Sequence, residues 1–389
     1  MKIFTTPSRI MITCGKRLSP YLEQEMVELG FSPVRTFATG VELQGTLNDC
    51  IRLNLNLRCA SQVLYSVKDF SAKSPEEVYE TVLALPWEEM IPQDGYFSVT
   101  SVVNHFSVNN SLFMNVKVKD AIADRMRHKT GRRPDSGSEL NCTVIHLFWK
   151  ENWAEVFVDS SGETLAKHGY RKMPGKAPML ESLAAATIMA TQWDKVSPFI
   201  NPMCGSSTVA IEAALLATHR RPGLFRNNYA FMHLIGYDAA VYARERRRLE
   251  EQIKEVPGLI VTATDISMEA IRISKMNAEA AGVETLIQFA VGDFEATPIP
   301  APIPGKTGVI YFNPEYGERL GQASELEGTY ARMGDFMKKK CKGLMGYIFT
   351  GNLDLAKKIG LRAKRRLEFY TAKIDSRLLE YELYEGTKR

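Results

Sequence analysis

Phe199-Ile-Asn-Pro-Met-Cys-Gly-Ser-Ser-Thr208 is a short apolar run that breaks into small residues, and a helical stretch, Val209 to Thr218, follows at once. A tight turn here sets backbone N–H groups and a helix N-terminus at the carboxyl end of a strand. Open α/β sheets bind their ligands at that place. Unpaired N–H groups favour an anionic moiety such as a carboxylate. Gly205 permits close backbone approach, and Ser207 or Thr208 can cap the helix. The residues of this cradle are Asn201, Pro202, Met203, Cys204, Gly205, Ser206, Ser207 and Thr208. Taken alone, such a turn is equally a short connection that needs small side chains.

Outward from the cradle, strands alternate with helices from Ser197 on. Pro198 to Asn201, Leu259 to Asp265, Leu286 to Val291, Val309 to Asn313 and Leu344 to Thr350 read as strands. This alternation predicts a mostly parallel sheet covered on both faces. Leu367 to Tyr370 and Leu378 to Leu383 are consistent with two closing strands. The Pro-rich run Thr297 to Pro304 reads as a surface connection. Asp265 ends the second strand, where one carboxylate can accept both hydroxyls of an adenosine ribose. Asp293 ends the third and can meet an adenine amino group. Each also has a plainer reading, as a helix cap or a turn residue.

Ile310-Tyr-Phe-Asn-Pro-Glu-Tyr-Gly-Glu-Arg-Leu320 follows the fourth strand. The exocyclic amine of a base is a poor nucleophile, because its lone pair is delocalised into the ring. The Asn313 side-chain oxygen and the Pro314 carbonyl can accept both amine hydrogens and localise that pair. Tyr316 can stack on a base that has left its helix or loop. Catalysis by Asn313, Pro314 and Tyr316 would be positioning and electrostatic stabilisation, with no metal and no covalent nucleophile. A rigid loop punctuated by Pro and Gly is the plainer alternative.

Upstream, residues 9–65 read as a small α+β unit. Arg9 to Thr13 is a strand, Tyr21 to Leu29 a helix ended by Gly30, and Val41 to Gln44 a strand. Asn48 is expected to cap a second helix that runs on through the Leu57 to Ala60 stretch. Residues 66–160 form a second α+β unit. It has a helix opened by Ser74-Pro75, a strand over Gly95 to Val103, a helix over Val118 to Lys129, and a hairpin of Val144 to Trp149 with Trp153 to Val158.

The chain has 389 residues, 45% of them hydrophobic and 24% charged, which suits a globular protein of two or three domains. The net charge is only +4, so nucleic-acid binding would rest on local patches. None of the six cysteines sits in a CxxC pair, which gives no support for structural zinc or a disulfide framework. No stretch reads as a signal peptide or a membrane span, so the cytoplasm is the expected location. Arg244 to Arg248 is flanked by acids and reads as a charged helix.

These motifs resemble those of the THUMP-domain class I methyltransferases, in particular the bacterial large-subunit rRNA guanine-N2-methyltransferases (the RlmL group). The resemblance covers nearly the whole chain. The family's [DN]PMCGSGT and IEAA match Asn201 to Thr208 and Ile211 to Ala214, and its NPPYGERL matches Asn313 to Leu320. Its GxAPxxExLAA segment matches Gly175 to Ala185, which implies that Ala177 and Pro178 pack over the methionine end of S-adenosyl-L-methionine. Asn115 to Asp124 resembles the RNA-binding MKVKDAIVD helix. Phe157 to Gly162 and Lys167 to Arg171 resemble the LDxSGxxLxxRGYR that ends the THUMP domain.

The resemblance implies a ferredoxin-like unit (1–65), a THUMP RNA-binding domain (66–165) and a Rossmann-like methyltransferase domain (166–389). It implies methylation of guanine N2 in large-subunit rRNA. Among the clustered cations, Lys117, Lys119, Arg125, Lys129, Arg132 and Arg133 would contact phosphates. A second basic run, Lys357 to Arg366, favours neither RNA nor a plain solvated face. Two positions depart from the family. Ser207 replaces the second cradle glycine, and would be strained if that site needs positive φ. Glu315 replaces the second proline of NPPY and sets a carboxylate beside the base site.

Competing readings are methylation of adenine N6 and a non-catalytic rRNA-binding assembly factor. A dehydrogenase is the weaker rival, because the cradle lacks GxGxxG.

Overall fold

A computed structural model describes residues 3–173, 175, 178–316 and 323–384. Two compact units divide the chain. The first comprises Met1–Cys14, Leu22–Ala166 and Pro222–Glu250, the second Gly15–Tyr21, Lys167–Arg221 and Glu251–Arg389.

In the first unit, strands β1 (Ser8–Cys14), β2 (Arg35–Phe37), β3 (Gly40–Gly45), β4 (Ala60–Ser71), β5 (Tyr96–Asn104), β6 (Asp135–Gly137), β7 (Thr143–Lys150) and β8 (Trp153–Asp159) form one sheet, ordered β2-β3-β1-β4-β8-β7-β5-β6. The two α+β units read from the sequence therefore share a single sheet. Their seam is β4 against β8, with Leu64 opposite Asp159 and Ser71 opposite Trp153.

Local chemistry explains the helices. Ser74 Oγ accepts the Glu77 N–H at 3.2 Å with Pro75 in the first turn, as expected. The helix Leu47–Asn56 is capped by Thr46, not Asn48, and the Thr46 N–H donates to Asp49 at 2.8 Å. That helix stops at Asn56. Leu57 is already extended, and Ala60 opens β4, so the apolar Leu57 to Ala60 stretch is a helix exit and a strand start. The helix Ser111–Thr130 begins seven residues before Val118, because Asn110 accepts the Leu112 N–H at 2.9 Å and caps it there.

In the second unit, β9 (Phe199–Pro202), β10 (Val261–Asp265), β11 (Ile287–Val291), β12 (Val309–Phe312), β13 (Met345–Thr350), β14 (Arg365–Thr371) and β15 (Ile374–Glu382) form a sheet ordered β11-β10-β9-β12-β13-β15-β14. Its first five strands are parallel, and β15 runs antiparallel to both neighbours. β9, β12 and β13 are buried at every position, as strands covered on both faces must be. The helix Thr208–Ala217 is buried along its whole length. The helix Ala323–Lys340 packs Tyr330, Met333, Phe336 and Met337 against Ile310, Phe312 and Ile348. Strand order reverses between β9 and β12, and at such a switch point the carboxyl ends of the strands open a ligand crevice.

Candidate active site

The cradle forms as a tight turn between β9 and the helix Thr208–Ala217. Its backbone is unusual, with φ of 53° at Met203, 56° at Gly205 and 57° at Ser207. A Cβ added at Gly205 would meet nothing within 4 Å, so this backbone borders open space. Ser207 occupies the N-cap position in the left-handed region, but its side chain makes no capping bond. Its hydroxyl instead donates to Ser274 Oγ at 2.8 Å, and Ser274 donates to the Gly205 carbonyl at 2.9 Å. Thr208 does not cap the helix either, being its first residue, and its hydroxyl accepts from Arg171 at 2.9 Å. The helix therefore presents first-turn N–H donors without a side-chain cap, which suits a carboxylate.

Asn201 is buried. Its Nδ2 donates to the Tyr311 carbonyl at 2.9 Å, while its Oδ1 has no hydrogen-bond partner among the described residues. A buried, unsatisfied acceptor at a strand tip costs about 1–3 kcal/mol unless a ligand donor meets it. Cys204 is tied to the next strand by its N–H on the Thr264 carbonyl at 3.0 Å.

Asp265 sits at the tip of β10. Its carboxylate accepts the Gly205 N–H and the Ser267 N–H, both at 2.9 Å. The cap of the following helix is Ser267, which accepts the Ala270 N–H at 3.2 Å. Asp265 is thus not the cap, and it keeps lone pairs for further donors. Asp293 caps a short turn by accepting the Glu295 N–H at 3.0 Å, and it accepts from Arg332 at 2.8 Å. Burial opposes its charge, yet these donors outweigh burial and hold its carboxyl below the usual range. Beside these acids, Ile266 (74% exposed), Met268 and Val291 stand out as exposed apolar side chains. Sequence reasoning missed them. The one signal was an apolar residue directly after the strand-ending acid.

The acceptor loop leaves the tip of β12. Register places Ile200 opposite Ile310, and the Asn201–Tyr311 bond continues that pairing, so the two loops leave neighbouring strands. Pro314 is buried, Asn313 and Tyr316 are half-buried, and Glu315 is exposed. The Tyr316 hydroxyl donates to Asn313 Oδ1 at 3.0 Å. Asn352 Nδ2 holds the Tyr316 carbonyl, and the Tyr330 hydroxyl holds the Glu315 carbonyl, each at 3.1 Å. An oxygen with two lone pairs retains one acceptor direction at Asn313.

Of the segment before the cradle, Ala177 lies outside the described residues. Pro178 is half-buried. The segment is anchored at several points that sequence reasoning did not identify. Arg171 donates to the Met179 carbonyl at 2.6 Å as well as to Thr208, and lies 3.5 Å from the buried Glu181. Asn277 accepts the Lys172 and Met173 N–H groups at 3.0 and 3.1 Å. A Cβ on Gly175 would come within 3.2 Å of the Ser206 Cβ, so the segment passes close to the cradle. Behind it, His168 and Glu212 form a fully buried pair at 2.7 Å.

In the first unit, Lys129, Arg132 and Arg133 are exposed. Lys119 is half-buried, Lys117 bonds Glu76 at 2.9 Å, and Arg133 lies 3.5 Å from Asp120. Arg125 is engaged by both oxygens of Glu88, at 2.9 and 2.6 Å. Lys357, Lys358 and Lys364 of the second run pair with Asp354, Glu327 and Glu382. Arg246 and Arg248 serve structure, bonding loop carbonyls and Glu245. Among the described residues, no group of three His, Cys, Asp or Glu could hold a metal. No described helix is long and apolar enough to cross a membrane.

A sheet in this order, with a single antiparallel strand and two polar loops at adjacent strand tips, defines a class I methyltransferase fold. The model of the RMKL-like methyltransferase domain matches residues 168–380, and the chain belongs to that family. The RlmL ferredoxin-like domain matches 9–64 and the THUMP domain 72–159. Ribosomal RNA large subunit methyltransferase K/L of Syntrophotalea carbinolica is 33% identical over 97% of this chain and 54% of its own length. The Pseudomonas aeruginosa protein of the same name is 32% identical over 95% and 52%. The chain thus spans about half the length of the curated relatives it matches. Among solved structures, SMU.472 complexed with SAH superimposes with a TM-score of 0.87 at 26% identity, covering 98% of this chain and 100% of that one. A Listeria monocytogenes protein described as a predicted N6-adenine-specific DNA methylase gives 0.86 at 28% identity, with 97% of each chain covered.

Proposed function

We propose that this chain is an S-adenosylmethionine-dependent RNA methyltransferase acting on the exocyclic N2 amine of a guanine in large-subunit rRNA, in the cytoplasm. The observation that carries the reading is the pairing of β9 with β12, which sets the cradle and the acceptor loop on adjacent strand tips. The curated relatives' names supply the RNA class. We take residues 1–65, 66–165 and 166–389 as the functional divisions, with the first two capturing RNA.

The chain's residues fit the cofactor. Helix N–H donors after Ser207 suit its carboxylate, and the free Asn201 Oδ1 suits its ammonium. Asp265 suits the ribose diol, Asp293 the adenine amine, and Ile266 with Val291 the faces of the adenine ring. When bound, S-adenosylmethionine would supply a sulfonium methyl as electrophile for the amine lone pair, with its sulfur as the leaving group and one amine proton released to water. Asn313 Oδ1 and the Pro314 carbonyl hold the two amine hydrogens, and Tyr316 supports Asn313 through its hydroxyl and offers its ring to the base. The developing positive charge on nitrogen faces two fixed oxygen dipoles.

Nucleoside analysis of unmodified large-subunit rRNA after reaction tests the reading. N2-methylguanosine is expected. N6-methyladenosine would support the second reading, since the same grip accepts either amine. RNA binding without calorimetric S-adenosylmethionine binding would instead support a non-catalytic factor. Asn313→Ala is expected to lower kcat by about 100-fold to 1000-fold and to leave the cofactor Kd nearly unchanged. A parallel loss of cofactor binding would remove Asn313 from the acceptor site.

A further inference from the structure

Among residues 313–316 of the acceptor loop, one side chain has no part in the grip. The backbone from Asn313 to Tyr316 is tied down through the Tyr316–Asn313 bond, the Tyr330 hydroxyl on the Glu315 carbonyl and Asn352 on the Tyr316 carbonyl. Tyr330 is itself fully buried and lies 3.1 Å from Thr350, so this anchorage is rigid. Pro314 is buried. Among the loop's described residues Glu315 is the exposed one, and its carboxylate makes no hydrogen bond or ion pair with another described residue. Its Cα is two bonds from the Pro314 carbonyl carbon, so its carboxylate is within reach of whatever edge lies next to an amine held there.

Resting on the amine grip proposed above, we infer that Glu315 selects guanine. The neighbour of guanine's N2 amine on the Watson–Crick edge is N1–H, a donor. The neighbour of adenine's N6 amine is N1, a bare lone pair. A carboxylate only accepts hydrogen bonds. It completes a row of three donors on guanine and faces lone-pair repulsion on adenine. Sites that leave a charged acceptor opposed or unpaired reject the wrong substrate far more strongly than apolar pockets do.

The test begins by mapping the methylated nucleotide on unmodified rRNA with the wild-type chain. An rRNA fragment is then made with guanine or 2-aminopurine at that position. 2-Aminopurine keeps the N2 amine but presents N1 as a lone pair. The wild type is expected to prefer guanine in kcat/KM by about 100-fold or more. Glu315→Gln offers either an oxygen or an NH2 group and should narrow that preference by at least about tenfold. Glu315→Ala should narrow it too, by removing the repulsion. Calorimetric binding of S-adenosylmethionine verifies that each variant is folded. A preference unchanged in both folded variants overturns the inference alone. A wild type that methylates no guanine amine overturns the guanine reading, and this inference with it.

Discussion

Ser207 shows how local cost and local compensation combine at one residue. Its left-handed backbone, at φ 57° and ψ 27°, costs a non-glycine residue about 1–2 kcal/mol. Its buried hydroxyl recovers roughly 1 kcal/mol through Ser274. Glycine at this position would relieve the strain, lose that bond, and pay about 0.5–1 kcal/mol more backbone entropy. Ser207→Gly is therefore expected to change stability by less than about 1 kcal/mol in urea denaturation. Ser207→Val puts a β-branched residue at positive φ in a fully buried site, and should lose more than about 2 kcal/mol. Equal losses in the two variants would show that the hydroxyl, not the backbone, governs this turn. Much at this scale was legible. Asn201 and Asn313 lie at neighbouring strand tips, as the strand pattern implied, and the positive φ considered for Ser207 is the backbone found there. The capping role was not legible, because Ser274, 67 positions further on, competes for the hydroxyl.

Elements are joined by contacts distant in sequence, and there legibility falls. β4 went unread because Ala60 to Ser71 lacks a clean alternation and no turn residue separates it from the helix before it. Its neighbours on both sides, β1 and β8, make it a strand. Arg171 went unassigned for the same reason, since its partners Met179, Glu181 and Thr208 converge only after folding. This residue joins the segment before the cradle to the cradle helix. Burial raises the Glu181 pKa, and Arg171 pulls it back down. Arg171→Leu would leave Glu181 as a buried charge without its cation, a loss of about 3 kcal/mol or more at pH 8. Because the folded-state pKa then lies further above the unfolded one, the folded chain holds more protons between the two. Stability of the variant relative to wild type should accordingly recover as pH falls from 8 toward 5. Denaturation at both pH values measures this. A deficit independent of pH would mean that packing, not the charge on Glu181, gives Arg171 its role.

At the scale of the whole molecule, 49 basic residues against 45 acidic ones leave too little net charge to attract RNA by itself. Attraction must come from cations that internal partners do not consume. Many on this chain are consumed, including Arg125 by Glu88, Arg246 by loop carbonyls and Lys364 by Glu382. Within the basic cluster of the first unit, the exposed Lys129, Arg132 and Arg133 remain, and the long contact from Arg133 to Asp120 is an exposed pair worth little. Each phosphate neutralised contributes about 0.7–0.9 to the slope of log affinity against log salt. Replacing all three residues by serine should therefore flatten that slope by up to roughly 2–3 in rRNA-fragment binding. Cofactor affinity should be unchanged, because the cradle is built within the other unit. Arg125→Ala should behave in the opposite way, with its salt slope nearly intact and its stability lowered by loss of the two-oxygen contact with Glu88. If Arg125→Ala flattened the slope as much as the triple variant, Glu88 would have to release Arg125 to RNA, and the exposed cations would not be a separate phosphate-binding set.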